Sequence, residues 1–218
     1  TTDRAPCGAS AMKPVLERSK RTMPFGAVVG AIAAKGCFHY RTSARYCPAM
    51  PLTSSITDYD DRWPRLYEAE AKRLRPVLGN LCVQIHHIGS AAVEGLAAKP
   101  EIDILAVVSD TSRLRHWQKK LLRLQYRRGR DLMEGHHFFK RDRGGVRTHK
   151  LHICGSGHSQ ISRMLGIRDH LRANPSDRQA YAELKLRLER KNRTGIAEYL
   201  KAKAPFLDEL YQRSHASE

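Results

Sequence analysis

Apolar and polar positions along this chain follow different rhythms from segment to segment, and each rhythm predicts an element. From Trp63, the residues Leu66, Ala69, Leu74, Val77 and Leu78 recur roughly three or four apart between Glu and Arg, the spacing of one helical face. Gly79-Asn80 stops that helix. The segment LCVQIHHIG, 81–89, alternates apolar with polar as a half-buried strand does. Residues 90–100 contain Gly95 and Pro100 and read as a turn or short helix. EIDILAVV, 101–108, is an apolar run of the length and composition of a buried strand. A second amphipathic helix is expected over 113–124, with Leu114, Trp117, Leu121 and Leu124 on one stripe.

Beyond residue 124 the pattern breaks into short strand-like pieces, HHFFK and HKLHIC, joined by the glycine-bearing loop RDRGGVR. Three helices then follow, over 159–171, 176–193 and 196–211, the first two separated by Asn174-Pro175. Strands mixed with helices early, and helices alone at the end, predict an α/β (α+β) domain. Its expected form is a small mixed sheet flanked by helices, with C-terminal helices closing it.

Residues 1–49 follow no sustained period and hold Cys7, Cys37 and Cys47. They are expected to be a flexible or non-native extension, with one domain over 50–218. The longest apolar stretch, AVVGAIAA at 27–34, is far too short to span a bilayer. Five cysteines without a CxxC pair argue against a disulfide framework or zinc site, so a reducing, cytoplasmic setting is expected. Composition adds one strong bias: 39 Lys+Arg against 22 Asp+Glu give a net charge of +17. That excess favours anionic partners such as nucleotides, nucleic acid or an acidic membrane surface, and is silent on fold.

Candidate chemistry is densest between His86 and Val108. One strand ends in Gly89-Ser90, and the next opens with Glu101-Ile102-Asp103-Ile104. Strand alternation puts Glu101 and Asp103 on one face, about 7 Å apart at ~3.3 Å per residue. Paired carboxylates are suitable ligands for one or two Mg²⁺, or Mn²⁺ in its place, because hard cations take oxygen ligands and keep positions open for phosphate. Gly89 lets backbone approach a phosphate, and Ser90 offers a hydroxyl. Asp103 within an apolar strand needs a partner or a ligand, since a lone buried acid is costly.

The stretch His87-Ile88-Gly89-Ser90-Ala91-Ala92-Val93-Glu94-Gly95-Leu96-Ala97-Ala98-Lys99-Pro100-Glu101-Ile102-Asp103-Ile104 resembles the HIGSTSVPGLAAKPIIDI pattern of the GrpB family. Through that family it is similar to the nucleotidyltransferase superfamily of DNA polymerase beta. DYDDRWP at 58–64 resembles the family's YDPxWP, and His149-Lys150-Leu151-His152 its HHLH. Residues 167–175, IRDHLRANP, resemble FRDYLRANP. The resemblance implies an Mg²⁺-dependent transfer of a nucleotidyl group from a nucleoside triphosphate to an unidentified acceptor. Glu101 and Asp103 would then hold metal, with Gly89, Ser90 and Lys99 cradling phosphates. His152 would accept a proton or touch phosphate. The superfamily's third acid, on a later strand, is not evident.

Two further expectations rest on helical spacing. Arg168 and Arg172, four apart, share a face and could grip phosphates together, the alternative being a structural pairing with Asp169. Lys185, on a face with Tyr181, is expected to neutralise triphosphate charge. A competing reading on the same fold is a non-catalytic module for nucleotide, coenzyme A-like ligand or RNA. A third makes the chain a partner of coenzyme A biosynthesis, because the family occurs fused to a dephospho-coenzyme A kinase; the chain itself lacks a P-loop. The basic tract 113–147 admits RNA, but no aromatic stacking platform accompanies it, so nucleic acid is the less favoured partner.

Overall fold

The structure is a computed structural model that describes residues 54–193 and 195–215. The expectation for residues 1–49 lies outside the described residues. Five strands form one mixed sheet in the order β1-β2-β5-β4-β3. Strand β1 is Cys82–Ile88, β2 Ile102–Val108, β3 Arg127–Arg128, β4 His136–Arg143 and β5 Val146–Gly155. β1 runs antiparallel to β2, β2 parallel to β5, and β4 antiparallel to both β5 and β3. The parallel register sets Ile102 against His149, Asp103 against Lys150 and Leu105 against His152. The small mixed sheet read from the sequence is therefore present.

Strand β2 is apolar except at Asp103 because helices cover both of its faces. Ile102, Ile104, Ala106 and Val108 pack on one side with Trp63, Leu74, Trp117 and Leu121. These come from α1 (Trp63–Leu78) and α2 (Leu114–Arg123). Leu105 and Val107 pack on the other side with Ile161, Met164 and Leu165 of α3, Ser159–Ala173. Asp103 belongs to this second face. Helices α4 (Pro175–Lys191) and α5 (Ile196–His215) complete the layer, sharing a small core of Leu171, Tyr181 and Leu210 with Val93 and Leu96.

The elements depart from the sequence reading in specific ways. Leu66 and Ala69 lie on the exposed side of α1, and the buried stripe is Trp63, Glu70, Ala71, Leu74 and Leu78. Glu70 is tolerated there because Arg141 reaches it with two nitrogens at 2.8 and 2.9 Å, Arg73 adds a third contact, and Tyr126 donates its hydroxyl. α4 starts at Pro175, one residue earlier than expected, where the first turn tolerates a missing N–H. α5 continues past Tyr211 to His215. The two-residue strand β3 has no periodic signature at all.

Candidate functional site

The site begins with the turn that follows β1. Gly89 has φ 72° and ψ −172°, a backbone region essentially reserved for glycine. A side chain there would meet Asp103, whose Oδ2 lies 2.5 Å from an ideal Cβ position. The turn thus closes directly over the Asp103 carboxylate. Residues Ser90–Ala92 form a short 3₁₀ turn, with Ala92 N–H donating to Gly89 O and Val93 N–H to Ser90 O. Residues 97–101 then return to β2 past Lys99.

Glu101 and Asp103 come together as the strand alternation predicts, but around an ammonium. Lys150 Nζ lies 2.6 Å from Glu101 Oε2 and 3.3 Å from Asp103 Oδ1. Ser54 Oγ also donates to Glu101 Oε1 at 3.0 Å. Glu101 is buried at 5% exposure, so the ion pair is partly removed from solvent. Burial opposes the charge on Lys150, yet Asp103 and Glu101 outweigh it and raise the ammonium above its ordinary range. Lys150 escaped the sequence reading. Its one signal there was standing within the HHLH-like segment, at a position where that pattern has His.

A cavity of about 450 Å³ opens over this pair. Seven cationic side chains and two carboxylates, Glu101 and Asp103, line it. Lys99 comes from the loop before β2, Arg130 from the loop after β3, and Lys140 from β4. Arg147 and Lys150 come from β5, Lys185 from α4 and Lys203 from α5. Tyr199 lies under two of them, with Lys99 Nζ 5.1 Å and Lys203 Nζ 5.6 Å from its ring centre. Phe138, Leu132 and Leu200 supply apolar wall. Ser90 lines this cavity and also a smaller neighbour of about 180 Å³, shared with Gly89, Asp103, His152, Arg168 and Lys203.

His136 and His152 form a hydrogen-bonded pair beside the cavity. Leu132 N–H donates to His136 Nδ1 at 3.1 Å, so His136 carries its proton on Nε2. That Nε2 lies 2.8 Å from His152 Nδ1 and donates to it. The His152 proton is then on Nε2, which makes the ring a donor toward the cavity rather than a proton acceptor. Burial, followed by His136 and Lys150, pushes His152 down to about 3. Of the two roles expected for His152, phosphate contact fits this tautomer and proton acceptance does not. His87, stacked on Tyr67 at 4.7 Å, lies behind the site and is pushed by burial down to about 4.

The helical residues divide. Arg168 donates to His87 O at 3.0 Å and forks onto Asp169 at 2.8 Å, which docks α3 onto the end of β1. It still borders the smaller cavity. Arg172 donates twice to Ala92 O, at 2.8 and 3.0 Å, and faces a third cavity with Tyr59, Tyr67 and Glu94. The expected joint phosphate grip of Arg168 and Arg172 is therefore not formed; the pair clamps backbone carbonyls instead. Lys185 does reach the main cavity, buried at 3% exposure and donating to Ala97 O. Burial, with Lys203 nearby, pushes it down to about 7.

A bound Mg²⁺ does not suit the side chains present. The residue opposite Asp103 in the parallel register is Lys150, not an acid. An ammonium occupies the space between the two acids, and His152 turns a protonated nitrogen toward the cavity. Among the described residues no group of three or more His, Cys, Asp or Glu converges as a metal site. Nor is any described helix long and apolar enough to cross a membrane.

Comparison with known proteins places the architecture. The model of the family described as GrpB protein matches residues 53–213. The UPF0157 protein BH1888 of Halalkalibacterium halodurans is 42% identical over 172 residues, covering 77% of this chain and 86% of its own length. The crystal structure of the conserved protein GrpB from Enterococcus faecalis aligns with a TM-score of 0.70 at 30% identity, over 75% of this chain and 98% of that one. The Cid1 poly(U) polymerase, in a mutant bound to MgATP, aligns at a TM-score of 0.41 and 13% identity, over 60% of this chain and 45% of its own. That last likeness is too remote to bear on chemistry here.

Proposed function

The chain belongs to the GrpB family, and from that premise we propose that its main cavity binds a nucleoside triphosphate or a similarly polyphosphorylated small molecule. The observation that carries this reading is the cavity's charge: with Lys150 tied to the two carboxylates and Arg147 paired with Asp142, the side chains of Lys99, Arg130, Lys140, Lys185 and Lys203 still line it. Its volume of about 450 Å³ falls within the range of small-molecule sites. Lys99 and Lys203 both stand beside the Tyr199 ring on the cavity wall, where their ammoniums would meet phosphate oxygens. His152 Nε2–H and the Ser90 hydroxyl add neutral donors. Phe138, Leu132 and Leu200 give a base or other planar group an apolar wall.

Calorimetric titration of the full chain with ATP and with inorganic tripolyphosphate tests this. Binding that weakens steeply in Lys99→Ala and Lys203→Ala supports it. No heat with either ligand would sink it.

A second reading, nucleotidyl transfer to an acceptor hydroxyl, is favoured by one observation: Glu101, Asp103 and Ser90 share one cavity. Here the acids would act only after Lys150 releases them. Pyrophosphate release across an acceptor panel, abolished in a folded Asp103→Asn variant, is the expected result. Normal turnover by that variant would refute the acid's role.

A further inference from the structure

Lys150 sits at a telling place in the sheet. Parallel pairing sets it directly opposite Asp103 on the neighbouring strand. In the two-acids-plus-one arrangement implied by the superfamily resemblance, that later strand brings a third carboxylate beside the first two. Here the later strand brings a cation, and its ammonium contacts both acids at 2.6 and 3.3 Å.

The exchange reverses the electrostatics. Three carboxylates would repel phosphate until a divalent ion joined them. Two carboxylates closed on one ammonium keep a net charge of −1, half of what they carry alone. A divalent ion entering this place would have to expel Lys150 or sit beside its charge, and it would find only two carboxylates. His152, two residues along the same strand face, offers an N–H and no lone pair, as the His136 hydrogen bond dictates.

We propose that Lys150 is a built-in replacement for the divalent cation, so that the cavity takes polyphosphate without metal, through Lys99, Lys140 and Lys203 at its walls. The inference rests on the polyphosphate reading and deepens it. Lys150 holds Glu101 and Asp103 in place and halves the negative charge they present to phosphate, while the remaining cations meet the ligand.

Two measurements on the full chain decide it. The first titrates Mn²⁺ alone and reads bound metal by electron paramagnetic resonance. The native chain should show no specific binding. Lys150→Asp restores a third carboxylate and should tighten Mn²⁺ by roughly tenfold or more, because hard-cation affinity follows the count of charged oxygen ligands. The second titrates ATP in EDTA and again in excess Mg²⁺, and the two affinities should agree. If the native chain binds Mn²⁺, or takes ATP only with Mg²⁺, the inference falls while the polyphosphate reading stands. If ATP binds under neither condition, the polyphosphate reading fails and this inference fails with it. Both native-chain results decide the matter even if Lys150→Asp does not fold.

Discussion

Gly89→Ala tests whether the turn and the acid form one unit. Two costs add at this position. The backbone, at φ 72° and ψ −172°, lies where a residue with a Cβ is strained by about 1–3 kcal/mol. The new methyl would also stand 2.5 Å from Asp103 Oδ2, 2.9 Å from its Cβ and 3.0 Å from its Cγ. The Cβ is fixed to strand β2, so rotation of the carboxylate alone does not relieve the overlap. Overpacking of this kind costs about 1–3 kcal/mol. The sum, about 2–6 kcal/mol, is a large part of the 5–15 kcal/mol or so that holds a domain folded.

For a domain of this size each kcal/mol lowers Tm by about 2–4 °C, so the variant should melt roughly 5–20 °C below the native chain. Gly95→Ala is the matched control. Gly95 has the same φ of 72°, but no atom lies within 4 Å of the added Cβ. Urea unfolding of both variants compares the overlap at a shared φ: Gly89→Ala should lose about 1–3 kcal/mol more than Gly95→Ala. Equal losses would show that Asp103 does not lie beneath the turn, and the geometry of the site would be wrong.

Three other outcomes are expected. Phe139→Ala empties a fully buried ring position and should cost about 3–5 kcal/mol in chemical denaturation, with the secondary structure seen by circular dichroism retained before the transition. Glu70→Ala leaves the Arg141 guanidinium, itself only 11% exposed, without its carboxylate, and should cost about 3–5 kcal/mol; a loss under 1 kcal/mol would refute the network. Burial pushes His87 and His136 from 6.5 down to about 4, so between those values the unfolded chain binds protons that the folded chain does not. Stability must then fall with acidification by about 1.4 kcal/mol per pH unit for each, and His136→Gln should flatten that slope in unfolding measured from pH 7 to 5.

Much of the fold was legible because its signals are local. The apolar run of β2 reports burial on both faces, and Leu114, Trp117 and Leu121, with Leu124 just past its end, mark the inner stripe of α2. Local pattern failed where the reason for a residue lies far along the chain. Glu70 looks like a surface charge until Arg141, 71 residues later, is seen to meet it. Lys185 stands out in the sequence for its chemistry, but helical spacing alone does not show that it is buried and donating to Ala97 O beside the cavity. At the site itself, alternation was enough to bring Glu101 and Asp103 together. It could not show what stood between them, because the pairing of Asp103 with Lys150 exists only in the parallel register of β2 and β5. The spacing of Arg168 and Arg172 suggests a joint grip on phosphate, but both guanidiniums face carbonyls that only tertiary packing supplies.

The same reasoning separates a small polyanion from a long one. The basic tract 113–147 was the sequence's argument for RNA, yet the fold already engages several of its arginines. Arg128 pairs with Asp131 at 2.5 Å, Arg141 with Glu70 at 2.8 Å, and Arg147 with Asp142. Such pairing lowers the positive field that a nucleic-acid backbone would meet along this side. The cavity differs, because Lys150 offsets one of its two carboxylate charges and its other ammoniums converge from a loop, one strand and two helices on one volume. Convergence on a point suits a compact cluster of phosphates; a backbone with charges spaced along a line calls for cations spread along a groove. The arrangement therefore favours a single small ligand over an extended strand.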